Sequence, residues 1–143
     1  MPQISVKLKD NQKDAYSVRL AVFVAEQKFQ NEFDDTDKIC EYVTLYDGNK
    51  CIATGRYFPD PKGNKETFVF GRIAVLKPYR GAHIGMSVIA ALETAAKLKG
   101  GKKAILLAEG SAVGFYEKCG FKKSESRVVY SEACPCYWME KNI

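Results

Sequence analysis

The chain is poor in the residues that most often carry acid–base and metal chemistry. It has one histidine, His83, and five cysteines at irregular intervals. A nucleophilic cysteine needs a base, and the single histidine lies inside a glycine-bracketed turn, so cysteine-protease chemistry is set aside. Cys134-Pro135-Cys136 has a one-residue gap where zinc and thioredoxin-like pairs use two, so no metal is predicted. Irregular, odd-numbered thiols fit a reducing compartment. No apolar run approaches the ~18 residues that span a bilayer, and the opening Met-Pro-Gln-Ile-Ser lacks a basic stretch followed by an apolar one. A cytoplasmic protein with no membrane partner is expected. The net charge is +5, but the aromatics are spread through the strand-like runs and do not alternate with lysine and arginine, which excludes nucleic acid as a partner.

What is present is pattern. At 143 residues the chain can bury ~two-thirds of its extended surface, and one domain over 1–143 is expected. Residues 3–8 alternate as a short strand. Asp10 is a candidate cap for a helix with apolar positions Ala15, Val18, Ala21, Val22 and Ala25, ending near Glu26. Between Glu26 and Asp47 seven acids stand against two lysines, an acidic loop in an otherwise basic chain. Two β-rich runs joined at Asp47-Gly48-Asn49 predict a hairpin. A loop at 59–65 leads to a strand at 66–76. Apolar residues from Ile84 to Leu98 form one helical face that Gly100-Gly101 ends. Residues 102–108 are a short apolar strand of the kind buried on both faces, and Ser111 is a candidate cap for a helix to Cys119. Two final runs close as an antiparallel pair. The order βα, ββ, βαβα, ββ predicts an α/β fold with a mixed sheet and helices on its faces.

Between the 66–76 strand and the next helix runs "VLKPYRGAHIG". A glycine turn there places unpaired N–H groups at the positive end of a helix dipole, with Gly81 and Gly85 letting an anion approach the main chain. It is neither G-x-x-x-x-G-K-[ST] nor G-x-G-x-x-G, so the common nucleotide patterns do not apply.

Arg80-Gly81-Ala82-His83-Ile84-Gly85, followed by Ala112-x-x-Phe115-Tyr116-x-x-x-Gly120-Phe121, resembles the two signatures of the GNAT superfamily of acetyl-CoA-dependent N-acetyltransferases. Histidine stands at 83 where glycine is usual. "LAVFVAEQ" with the acidic loop, and "ACPCYWM" with Cys136 where histidine is common, are similar to the ElaA/YjcF-like branch. The resemblance implies a mostly antiparallel, twisted sheet of about seven strands flanked by helices on both faces, acting on acetyl-CoA without a metal.

The same resemblance implies roles. Tyr116 protonates the leaving thiolate. Glu26 is a candidate base, acting directly or through water, Glu109 is a second candidate, and a water chain without a dedicated base is the remaining alternative. Main-chain groups at Ile73, Ala74 and Val75 pair with the pantetheine arm, and an N–H there serves the oxyanion. Arg80, Gly81, Ala82, His83, Ile84, Gly85 and Met86 wrap the pyrophosphate. Glu109 and Phe115 border the arm, and Lys118 or Lys122 is a candidate for the 3′-phosphate. Asp34, Asp35 and Asp37 are substrate-side candidates that attract a cationic small-molecule or peptide amine. Arg19 and Arg72 are candidates for a substrate carboxylate. The alternative is a CoA-binding sensor without catalysis. An exposed closing strand leaves monomer and homodimer both open.

Overall fold

The computed structural model describes residues 4–26, 34–81, 83–130 and 135–143. Seven strands, β1 (Ile4–Lys7), β2 (Glu41–Asp47), β3 (Lys50–Pro59), β4 (Thr67–Val75), β5 (Lys103–Glu109), β6 (Lys122–Tyr130) and β7 (Pro135–Asn142), form one sheet in the order β1-β2-β3-β4-β5-β7-β6. Every neighbouring pair is antiparallel except β4 and β5. Three α-helices accompany it: α1 (Gln12–Arg19), α2 (Ile84–Leu98) and α3 (Val113–Lys118). The expected mixed sheet with helices on both faces is present.

The main core lies between the sheet and α2. Leu92, Val88, Phe68, Phe70, Leu106 and Met139 are almost wholly buried in it. Gly55 on β3 permits the close approach of α2: an added Cβ would stand 2.9 Å from Leu92 Cδ1 and 3.1 Å from Val88 Cγ1. α3 sits beside the start of α2, where Phe115 packs against Gly85, and Phe121 just beyond α3 meets Phe70 edge-on.

α1 covers the other face, chiefly over β3, β2 and β4. Its cap position is Asn11 rather than Asp10, and the Asn11 amide does not cap. Instead Nδ2 donates to Lys7 O, Tyr42 O and Thr44 Oγ1, tying the helix start to the sheet. The third helix begins not at Ser111 but at Val113, with Ala112 at the cap position and a 3-10 turn Gly110–Ala112 before it. From Leu20 to Glu26 the first helix continues as a π-helix. The wider turn rotates the faces, so Ala15, Val18 and Val22 are buried as expected while Ala21 and Ala25 are exposed.

β5 differs from the expectation of burial on both faces. Ala104, Leu106 and Ala108 are buried toward α2, whereas Leu107 is 43% exposed on the opposite face. α1 lies over the strands on the β2–β4 side, so the alternation of a one-sided strand emerges at β5.

A candidate active site where two strands part

The two parallel strands pair only from Thr67–Phe70 to Lys103–Leu106. Beyond that last rung β4 remains paired with β3, and β5 with β7. The facing edges of Gly71–Val75 and Leu107–Glu109 are therefore split, leaving main-chain donors and acceptors open to an extended partner. The split coincides with a bulge. Thr54 opposes Ala74 while Arg56 opposes Gly71, so two residues of β4, Arg72 and Ile73, face one of β3. Arg72 takes the left-handed region at φ 49°. The extra residue inverts the alternation. Phe68 and Phe70 point toward α2 before it. After it Ala74 packs against Val18 and Val22 on the α1 side, and Ile73 and Val75 lie against the main core.

At the end of β4 a 3-10 turn, Lys77–Tyr79, closes through Tyr79 N–H to Leu76 O (2.9 Å) and Arg80 N–H to Lys77 O (3.2 Å). The Arg80 side chain folds back, its Nε donating to Val75 O at 2.9 Å. Gly81 follows at φ 84°, with nothing within 4 Å of where its Cβ would stand. His83 sits at the helix cap with φ 60° and an exposed side chain that makes no capping hydrogen bond. The first helical N–H groups of α2 have no intrahelical acceptor and no side-chain cap, and the helix dipole makes this end favourable for an anion. This is where the usual glycine is replaced, and the backbone conformation that glycine supplies is kept by the histidine. Gly85 also admits a ring: a Cβ there would stand 3.1 Å from Phe115 Cζ. Ile84 is buried beneath the turn and Met86 is 39% exposed beside it. Ala82 lies outside the described residues.

Tyr116 stands on α3, half-buried, with its ring edge-on to Phe115 at 5.1 Å and to Phe121 at 6.2 Å. Burial, with Cys119 and Glu109 nearby, pushes the phenol up to about 12. No described residue hydrogen-bonds its hydroxyl. Glu109 is exposed at the end of β5, opposite Cys136 on β7. Lys118 and Lys122 are exposed. Cys134 lies outside the described residues, and Cys136 is buried. The side chain of Glu26 also lies outside them; its backbone ends the π-helix.

The acidic loop is corrected. Asp37 is 4% exposed, and its carboxylate receives Arg19 at 2.5 and 3.1 Å, Arg56 at 3.2 Å and the Tyr42 hydroxyl at 2.9 Å. Asp34 forms a reciprocal capping box with Asp37, accepts from Arg56 at 2.9 Å and pairs with Arg72 at 3.4 Å. Burial pushes both carboxyls up, but Arg56 beside Asp34 and Arg19 beside Asp37 outweigh it and hold both below the ordinary carboxylate range. Asp37 is therefore a structural ion-pair centre, not a free carboxylate for a substrate. Arg19, wholly buried, is its partner rather than an anchor for a substrate carboxylate. Asp35 alone of the three is fully solvated, beside Lys38. The residue that sequence reasoning missed is Arg56. The only signal for it was a charged residue in the middle of a predicted hairpin strand. Its Nε is buried without a partner, 3.8 Å from where a Cβ of Gly71 would stand.

The split strands and the uncapped helix after the glycine turn sit in an acetyltransferase: the chain belongs to the acetyltransferase (GNAT) family, whose model matches residues 7–121. It is an acetyltransferase of the ElaA/YjcF-like type. The Bacillus subtilis N-acetyltransferase YjcF, itself uncharacterised, is 34% identical over 145 residues, covering 99% of this chain and all of that protein. A crystal structure from Lactobacillus plantarum superposes with a TM-score of 0.85 at 31% identity, over 97% of each chain. Escherichia coli ElaA shares the fold with a TM-score of 0.80 at 22% identity, over 99% of each chain.

Proposed function

We propose that the protein moves the acetyl group of acetyl-CoA to a primary amine by direct attack, with Tyr116 as the proton donor. When bound, acetyl-CoA supplies a thioester carbonyl to which nitrogen bonds as the carbon–sulfur bond breaks; nitrogen loses one proton and sulfur gains one. The open edge at Ile73, Ala74 and Val75 holds the extended arm through main-chain hydrogen bonds, with Glu109 and Phe115 at its sides. Arg80 to Met86 receive the pyrophosphate on their N–H groups, the Gly81 and His83 backbone curving the turn around it. Glu26, at the end of the π-helix, takes the proton from the amine directly or through water. Asp34, Asp35 and Arg72 remain substrate-side groups, Asp34 and Arg72 as a pair.

The observation that carries this reading is the half-buried Tyr116, whose hydroxyl no described residue hydrogen-bonds, on the helix that follows the split strand. Burial keeps the phenol protonated at neutral pH, so the donor is loaded before each turnover. Tyr116→Phe is expected to lower kcat by ~10²–10⁴-fold while leaving the CoA dissociation constant, measured by calorimetry, unchanged. Unchanged turnover would sink the assignment.

A second measurement follows from the same residue. Because Tyr116 titrates at about 12, kcat/KM should rise with pH toward the amine pKa near ~10, and no falling limb should appear below it. A falling limb between pH 7 and 9 would assign the acid to another group.

A further inference from the structure

We propose that the acceptor is a monoamine with a compact apolar body, alkyl or aryl, and that the body is held in a slot on the face of the sheet opposite α2. This inference rests on the transferase reading above. The slot is a cavity of about 430 Å³ walled by Phe58, Pro61, Val69, Ile105 and Trp138, with Asp60, Lys62 and Ser124 completing its lining. That volume is in the range of small-molecule sites, which are mostly apolar with few polar groups. Its walls follow from the register. Phe58 opposes Val69, and Val69 opposes Ile105, so three adjacent strands present one apolar row. Leu107, 43% exposed, opposes Trp138 and continues the row along β5.

The row leads to the split. Val69–Ile105 is one rung before the last pair, Phe70–Leu106, and Leu107 is the first residue of β5 past it. At ~3.3 Å per residue, an acceptor whose body lies on Ile105 and Trp138 places a nitrogen one or two methylenes away at the parting of the strands. The slot's carboxylate, Asp60, follows the end of β3 remote from the split, and its Oδ1 accepts the Lys62 N–H at 3.1 Å. On this side Glu109 of β5 stands exposed at the split edge, two residues past Leu107, and across the split Arg56 and Arg72 are paired with Asp34 and Asp37. The apolar walls of the slot do not solvate a second ammonium, which favours an acceptor with a single amine, its nitrogen toward the split.

Trp138 is the only tryptophan of the chain, so its fluorescence, excited at a wavelength that phenyl groups do not absorb, reports occupancy of the slot whether or not transfer occurs. Phenethylamine, hexylamine, ethylamine and spermidine are titrated against the full chain while thiol release from acetyl-CoA is followed. The expected result is saturable change in Trp138 emission with phenethylamine and hexylamine, and kcat/KM at least tenfold above that for ethylamine or spermidine. Ile105→Asn should raise KM for phenethylamine about tenfold while kcat for ethylamine holds; Val69→Thr is the milder variant if Ile105→Asn folds poorly. Silent emission together with preferred spermidine turnover overturns the slot. So does emission that changes with protein concentration alone while sedimentation shows a dimer, because a second copy then covers the face. Saturable emission with no thiol release from any amine keeps the slot and refutes the transferase reading.

Discussion

His83 holds the left-handed conformation, φ 60°, at the cap of α2. Side chains disfavour this region and glycine accepts it freely, while histidine is among the less penalised residues. The exposed ring makes no capping bond, so the side chain brings no compensating contact within the cap itself. His83→Gly should therefore raise stability by ~1 kcal/mol, read as a higher urea midpoint at constant m-value. A lower midpoint would show that the ring has a stabilising partner. Arg72, also at positive φ, is paired with Asp34; there the ion pair and the bulge hold a conformation that the side chain alone resists. The motif showed where glycine is usual, and the missing glycine was visible in the sequence. That the backbone would nonetheless keep the glycine conformation was not, because φ at one residue is set by the strand before it and the helix after it.

Among the elements, α1, the 3-10 turn Asp35–Lys38 and β3 are joined through one carboxylate. Asp37 holds Arg19, at 0% exposure, and Arg56. Removing the charge leaves a buried guanidinium without its counter-ion, so Asp37→Asn should cost ~3–5 kcal/mol. The pH dependence has a definite sign. The folded pKa of Asp37 lies below its ordinary 3.8, so its stabilisation is present above about pH 4 and is lost as pH falls further. Wild-type unfolding free energy should drop between pH 4 and 2, and the Asp37→Asn protein should show a flatter acid limb. Equal slopes would place the acid sensitivity elsewhere. A close contact sets a second expectation. Gly55→Ala puts a Cβ 2.9 Å from Leu92 Cδ1, and the overpacking should cost ~1–3 kcal/mol in the same denaturation experiment. The run of acids was legible as a charge block, but its partners were not: Arg19 precedes it by a helix and Arg56 follows it by a strand, and only folding brings opposite charges that far apart in sequence to within hydrogen-bond distance.

At the scale of the whole molecule, the tyrosines make the protein sensitive to alkali. Burial raises Tyr46 and Tyr116 to about 12, and raises Tyr42 and Tyr57 as well. Their folded pKa values exceed the unfolded value of 10.0, so the stability they contribute is complete below about pH 10 and is lost as pH rises through 12. Unfolding free energy should fall steeply over that interval, together with the absorbance of ionised phenol. Phenolate signal without loss of structure would mean that these rings ionise in place.

The linear pattern determined what local interactions decide: the alternation and periodicity that set seven strands and three helices in order, the glycine turn ahead of α2, and the tyrosine on α3. Those features need only neighbours within a turn or a strand. The tertiary structure alone decided where β4 and β5 stop pairing, which face of β5 stays uncovered, which carboxylates are neutralised and which apolar side chains line a slot. Each of these depends on contacts between segments far apart in the chain, and a single inserted residue at the Arg72 bulge was enough to invert the facing of Ile73, Ala74 and Val75 in the rest of β4.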